Sequence, residues 1–246
     1  MNSIQSIIDS IIFSERFVPP NNARNESAAL IHCNFWEDSY NRNLRLEDVE
    51  IEVRLGKCPL NGRGSFNTYI SKRQFTKIIE SFQGFTNWDK IEYTEDMVGY
   101  FPEVDESLRH VVSSDGVTKT ISKQKVIQAD YIGKNLPFDF RLAVNIELNM
   151  EDCENITLKN ATKINNRKRH SFTLQNFRYD LTRVIDKFNN VNHQIEIELI
   201  NISDIQLRQS NAFFITRELQ LRIVSMLNAL EPIRSFDIQL LRKKNF

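Results

Sequence analysis

Two stretches, VEIEVRL at residues 49–55 and HQIEIELI at 193–200, alternate apolar residues with glutamates or other polar residues. A period of two is the spacing of an extended strand, whose successive side chains point to opposite faces. Val49, Ile51 and Val53 therefore share one face and Glu50 and Glu52 the other. Ile195, Ile197 and Leu199 oppose Glu196 and Glu198 in the same way. The rhythm continues, with full charges facing apolar residues, in LRHVVSS (108–114), TISKQKVI (120–127), FRLAVNIEL (140–148), RKRHSFTL (167–174) and FRYDLTRVI (177–185). This many alternating segments predict an all-β centre.

Helical spacing is confined to the flanks and one insertion. Ile4, Ile7, Ile8, Ile11 and Ile12 recur over 3–13, Phe75, Ile78 and Ile79 follow a serine cap over 71–82, and a third pattern runs over 211–231 until Pro232 stops it. The expected fold class is all-β with accessory helices packed outside. If the strands' aliphatic faces are buried against those helices, their charged faces must look inward, the reverse of an ordinary barrel.

Of 246 residues, 41% are hydrophobic and 26% charged, a balance that can bury a core. Lys plus Arg equals Asp plus Glu at 32 each, which excludes a global basic field for polyanions and makes any such affinity local. Cys33, Cys58 and Cys153 lack CxxC spacing and suit a reducing, intracellular setting. The N-terminus has no basic lead or cleavage site, and no apolar run approaches the roughly 20 residues that span a bilayer, so no membrane is expected. The expected organisation is one domain over 1–246, with a helical appendage at 1–40, barrel strands over 41–202 and a helix and tail over 203–246. The four histidines have no metal-ligand spacing, and no Ser-His-Asp or Cys-His arrangement stands out.

The chemistry lies in the charges. Glu50 and Glu52 near one end of the β region and Glu196 and Glu198 at the other can become neighbours if the sheet closes. Four converging carboxylates repel one another unless a cation neutralises them. Oxygen-only ligation favours Mg²⁺ or Mn²⁺, which accept phosphate oxygens as further ligands. Arg109, Lys123, Lys125, Arg167, Arg169, Arg178 and Arg183 supply the cations that a triphosphate needs. The competing reading is a solvated face of cross-strand ion pairs, each contributing little.

In this order the segments resemble the fungal, protozoan and large-DNA-virus class of RNA 5′-triphosphatases, within the triphosphate tunnel metalloenzymes. The resemblance covers roughly residues 45 to 200. It implies an eight-stranded antiparallel β-barrel forming a charged tunnel. By the same resemblance, Glu50, Glu52 and Glu198 correspond to metal ligands and Glu196 to an acid near the water nucleophile. Arg109, Lys123 or Lys125, Arg167, Arg169 and Arg178 correspond to phosphate ligands, and Glu147 and Asp180 complete the catalytic wall. The implied reaction removes the γ-phosphate from the 5′-triphosphate end of nascent RNA, the first step of mRNA capping, with nucleoside triphosphates as surrogate substrates. The implied partner is an RNA guanylyltransferase, in trans or as a following domain. The implied location is the nucleus for a cellular protein, or the cytoplasm or virion for a viral one. Two departures stand out: Gln194 precedes Glu196 and Glu198 where relatives often carry a third glutamate, and Arg167, Lys168 and Arg169 stand where they often carry Lys-Asp-Arg. Arg54, standing where tripolyphosphatases and thiamine triphosphatases carry lysine in Glu-x-Glu-x-Lys, counts against those enzymes. Other readings are a tunnel enzyme for inorganic tripolyphosphate or a small organic triphosphate, and a non-catalytic barrel that binds phosphate or RNA ends.

Overall fold

The computed structural model describes residues 48–59, 64–150, 153, 156–200, 212–233 and 237–245. The helix expected over 3–13 lies outside them. Eight strands close a barrel. In chain order they are β1 (Val49–Gly56), β2 (Lys90–Phe101), β3 (Asp105–Ser113), β4 (Thr118–Lys134), β5 (Asp139–Met150), β6 (Lys163–Leu174), β7 (Phe177–Asp186) and β8 (Val191–Leu199). Around the barrel they run β1, β5, β4, β3, β2, β6, β7, β8 and back to β1, every neighbouring pair being antiparallel.

A ninth strand, β9 (Asp237–Asn245), joins from outside. Strand β4 is long enough to hold two partners on one edge: β3 pairs with its first part, through Ser122, and β9 with its second, from Ile127. Neither β2 nor β9 is predicted from alternation. Both faces of β2 carry charged or polar residues, and its outer Ile91, Tyr93 and Met97 remain exposed.

The barrel's outer wall is the core. Ile51, Val53 and Leu55 of β1, Leu142, Val144 and Ile146 of β5, Tyr179 and Leu181 of β7, and Ile195 and Ile197 of β8 form one buried cluster with the helices. Helix α1 (Lys72–Gly84) contributes Phe75, Ile78 and Phe82. Its cap is the predicted serine: the Ser71 hydroxyl accepts from the Gln74 amide at 3.3 Å. Helix α2 (Ala212–Leu227) adds Leu219, Ile223, Met226 and Leu227. Each such side chain contributes about 1.5–3 kcal/mol on burial, so covering the aliphatic faces is what holds the charged faces inward. Trp88 locks the end of α1, donating its Nε1 to the Phe82 carbonyl at 2.8 Å. His193 packs against Phe75 with ring centroids 4.7 Å apart, a structural rather than a ligating position.

Beyond β1 the chain folds back tightly. Lys57 and Asn67 exchange backbone hydrogen bonds of 2.8 and 2.9 Å, and a Cβ on Gly56 would stand 2.1 Å from the Asn67 carbonyl oxygen and 2.6 Å from the Phe66 ring. Gly56→Ala should therefore lose about 1–3 kcal/mol by overpacking. Urea unfolding measures this, and an unchanged midpoint would mean that the Lys57–Asn67 bridge gives way without cost.

Candidate active site

Alternation in β1 sends Glu50, Glu52 and Arg54 into the barrel while Ile51, Val53 and Leu55 face the helices. Register then fixes their neighbours, because residues directly opposite across a ladder share a face. Glu52 stands opposite Glu198 and Arg54 opposite Glu196. On the far side of β8, Glu198 pairs with Arg178 and Glu196 with Asp180. Strand β6 places Ser171 opposite Asp180 and Arg169 opposite Thr182, and Arg167 faces Asp96 of β2. Lys168, between the two arginines, points outward and pairs with Glu95 at 2.9 Å.

Both Lys123 and Lys125 stand on the tunnel side of β4, opposite Glu147 and Asn145. They diverge at the β-bulge between Lys125 and Ile127. Lys123 is buried, whereas the Lys125 side chain is exposed. The Lys123 ammonium contacts Glu50, lies 3.5 Å from Glu52 and 3.2 Å from Glu147. Asn145 donates to Glu50 at 2.8 Å and to Glu52 at 3.2 Å.

Arg54 lies 3.0 Å from Glu52 and 2.9 Å from Glu196. Sequence reasoning set it aside as a departure from a lysine pattern, although its place in the alternation with Glu50 and Glu52 already put it on their face. Asp180 is a hub: it accepts from Ser171 at 2.6 Å and lies 3.2 Å from both Arg169 and Arg178. Arg178 bridges onward to Glu198, and Arg167 reaches Asp96 at 3.3 Å. Among the described residues, the buried Nε atoms of Arg109 and Arg167 have no hydrogen-bond partner. The wall also holds an apolar strip, Val98, Val111 and Ile121, with Tyr100 packed against it.

The carboxylates divide. Burial alone would raise Glu52, but Arg54 and Lys123 outweigh it and hold the group well below the usual carboxylate range. Glu50 is pushed up by burial and then by the charge of Glu52, with Lys123 opposing. Burial pushes Glu198 up to about 8 against the pull of Arg178, and Glu50 and Asp180 add to the rise. Arg167 is lowered by burial and then by Arg169, with Tyr100, Asp96 and Glu196 pulling the other way. Arg169 is raised because Asp180 and Glu196 overcome its burial.

The carboxylates of β1 and β8 are therefore crowded, and the crowding is only partly relieved by protein cations. Among the described residues they do not form a ready-made cluster of three metal ligands, since Lys123 and Arg178 hold them. The donor set nevertheless fits a hard divalent ion: oxygen-only, on adjacent strands, with Glu52 held anionic and Glu50 and Glu198 destabilised as anions without added positive charge.

A closed antiparallel barrel whose interior is lined by paired acids and bases defines a triphosphate tunnel protein. Residues 102–235, more than half of the chain, match the profile of the mRNA triphosphatase family, described as mRNA capping enzyme, beta chain. The chain belongs to that family and is an RNA 5′-triphosphatase. Among solved structures, S. pombe Pct1 RNA triphosphatase is similar at 19% identity and a TM-score of 0.62, over 89% of this chain and 96% of that one. The same S. pombe enzyme in complex with the Spt5 CTD matches to the same extent. At that identity the likeness concerns the fold alone. No curated protein matches in sequence.

The divided carboxylates give a pH signature. Above the ordinary carboxyl value of 4.5, Glu198 ionises in the unfolded chain, while in the folded one it keeps its proton up to about 8. The unfolded state then binds fewer protons, so stability falls as pH rises through that window. Glu50 acts in the same direction. Glu52 acts oppositely, but only below 4.5. Protein freed of divalent cations should melt at progressively lower temperature from pH 5 to pH 8, and Glu198→Gln should flatten the trend. A flat wild-type profile would place Glu198 in water.

Proposed function

We propose that the protein hydrolyses the γ-phosphate of triphosphate-ended RNA in a divalent-metal-dependent reaction, leaving diphosphate-ended RNA for capping. The observation that carries this is the juxtaposition, inside one closed barrel, of the β1 and β8 carboxylates with guanidinium groups from the neighbouring strands β6 and β7. Glu50, Glu52 and Glu198 would hold Mg²⁺ or Mn²⁺, which when bound supplies positive charge to the phosphoryl oxygens and relieves the carboxylate crowding.

The remaining chemistry belongs to the side chains. Arg169 and Arg178, braced by Asp180, present guanidinium forks to the phosphates. Arg109 and Arg167 carry further donors, and Lys123 adds a point charge once released from Glu50 and Glu52. Together they neutralise charge that spreads over the equatorial oxygens of the transferred group. Glu196 orients the attacking water, and Arg54, lying between Glu196 and Glu52, fixes the carboxylate that does so. No covalent intermediate is required. Asp180, with its oxygens already engaged, acts by positioning the arginines rather than by touching the substrate.

Hydrolysis should stop at the diphosphate, because a shortened end would have to move one phosphate deeper to present its next phosphorus. A guanylyltransferase, as a separate protein or a following domain, would accept that end, and free nucleoside triphosphates would serve as surrogate substrates.

The test uses RNA carrying label in either the γ or the β position. With Mg²⁺ or Mn²⁺ the γ label should be released completely while the β label stays on the RNA. Release without added or bound metal, or continuing loss of β label, would contradict the reading.

Substitution separates the two faces of β6. Arg169→Lys should lower turnover by about 10²-fold or more, the scale of a lost preorganised contact to developing charge, whereas Lys168→Ala should leave it unchanged. Equal losses in the two variants, measured as kcat, would mean that the strand's faces are not functionally distinct.

A further inference from the structure

One stretch of the tunnel wall is unsuited to phosphate. Tyr100, on the tunnel side of β2, is half-buried, and its ring packs on the apolar strip of Val98, Val111 and Ile121. The Arg109 guanidinium and the Lys163 ammonium lie over that ring at its margin, 5.7 and 5.8 Å from its centroid. Asn165 stands opposite Val98; it is only 7% exposed, and among the described residues its amide oxygen has no hydrogen-bond partner. Two residues further along β6, Arg167 begins the row of guanidinium groups.

Phosphate oxygens accept hydrogen bonds and cannot satisfy an amide oxygen. The face of the Tyr100 ring and its apolar floor offer them nothing either, and the phenolic hydroxyl is a single neutral donor. A nucleoside offers what both lack: a π-face for Tyr100 and hydroxyl or amino donors for Asn165. Arg109 and Lys163, at the ring's margin, then lie where the phosphate attached to that nucleoside must be. We infer that the first nucleoside of the RNA sits at this end of the tunnel, its base against Tyr100 and a donor group on Asn165, with the phosphates running inward past Arg167 and Arg169. This rests on the reaction proposed above and adds to it the orientation of the substrate and the residue that distinguishes a nucleotide from bare polyphosphate.

The experiment compares two affinities in wild type, Tyr100→Leu and Tyr100→Phe: KM for triphosphate-ended RNA, and Ki for inorganic tripolyphosphate as a competitor. Base–aromatic stacking is lost in the leucine variant, so the ratio of KM to Ki should rise roughly 10-fold. Phenylalanine, which keeps the ring, should restore the wild-type ratio. An unchanged ratio in Tyr100→Leu would overturn the inference, whether both constants worsen together, as expected of a residue that only packs the wall, or neither changes. If wild-type protein released no phosphate from the RNA, the proposed reaction would fall and this inference with it.

Discussion

A charge buried inside a protein is costly unless an opposite charge and hydrogen bonds meet it there. The barrel interior meets this condition by register. Because residues opposite one another across a ladder share a face, the inward acids of β1, β7 and β8 find bases on their own strand, on the adjoining one or, for Lys123 of β4, one strand further round: Glu50 has Lys123, Glu52 has Arg54 and Lys123, Asp180 has Arg169 and Arg178, and Glu198 has Arg178. A one-residue slip of any of these strands would turn its charges into the helix-packed layer and its aliphatic residues into the tunnel. The apolar outer wall and the ionic interior thus specify the same register from opposite sides.

The compensation is uneven, and the unevenness is where the chemistry lies. Asp180 is fully engaged and holds two guanidinium groups still. Glu50 and Glu198 are not: their carboxyls are displaced toward the protonated form by burial. A catalytic tunnel needs this division, with some cations held fixed and some acids that gain from further positive charge. The Lys123 ammonium, resting against Glu50 and Glu52, meets part of that demand. Its contacts are with the same carboxylates to which a divalent ion would be drawn.

Much of this was legible in the sequence because the two periodicities reinforce each other. The alternation in 49–55 and 193–200 gives the strands, and the helical patterns at 71–82 and 211–231 explain which face each strand must bury. Strand β2 escaped because it lacks a continuous apolar face; Lys90, Glu92, Thr94 and Asp96 line one side and exposed Ile91, Tyr93, Glu95 and Met97 the other. Strand β9 escaped because its length of pairing depends on β4 extending past its alternating segment, to Lys134. At the site, alternation placed the glutamates and arginines but could not separate Lys123 from Lys125, whose difference arises at a bulge that leaves no mark in spacing. Arg54 was visible and undervalued, and the braces Asn145 and Ser171, being neutral, carry no signal in a charge pattern.

The central claim is that the tunnel's acids and bases form one site, in which Glu50, Glu52 and Glu198 would hold the divalent ion proposed for it. Anomalous diffraction from crystals soaked in Mn²⁺ tests this most directly. The account predicts a manganese peak inside the barrel, bound by Glu50, Glu52 and Glu198, with the Lys123 side chain moved away from Glu50 and Glu52. Manganese bound only outside the barrel, with Lys123 still resting on both glutamates, would contradict it.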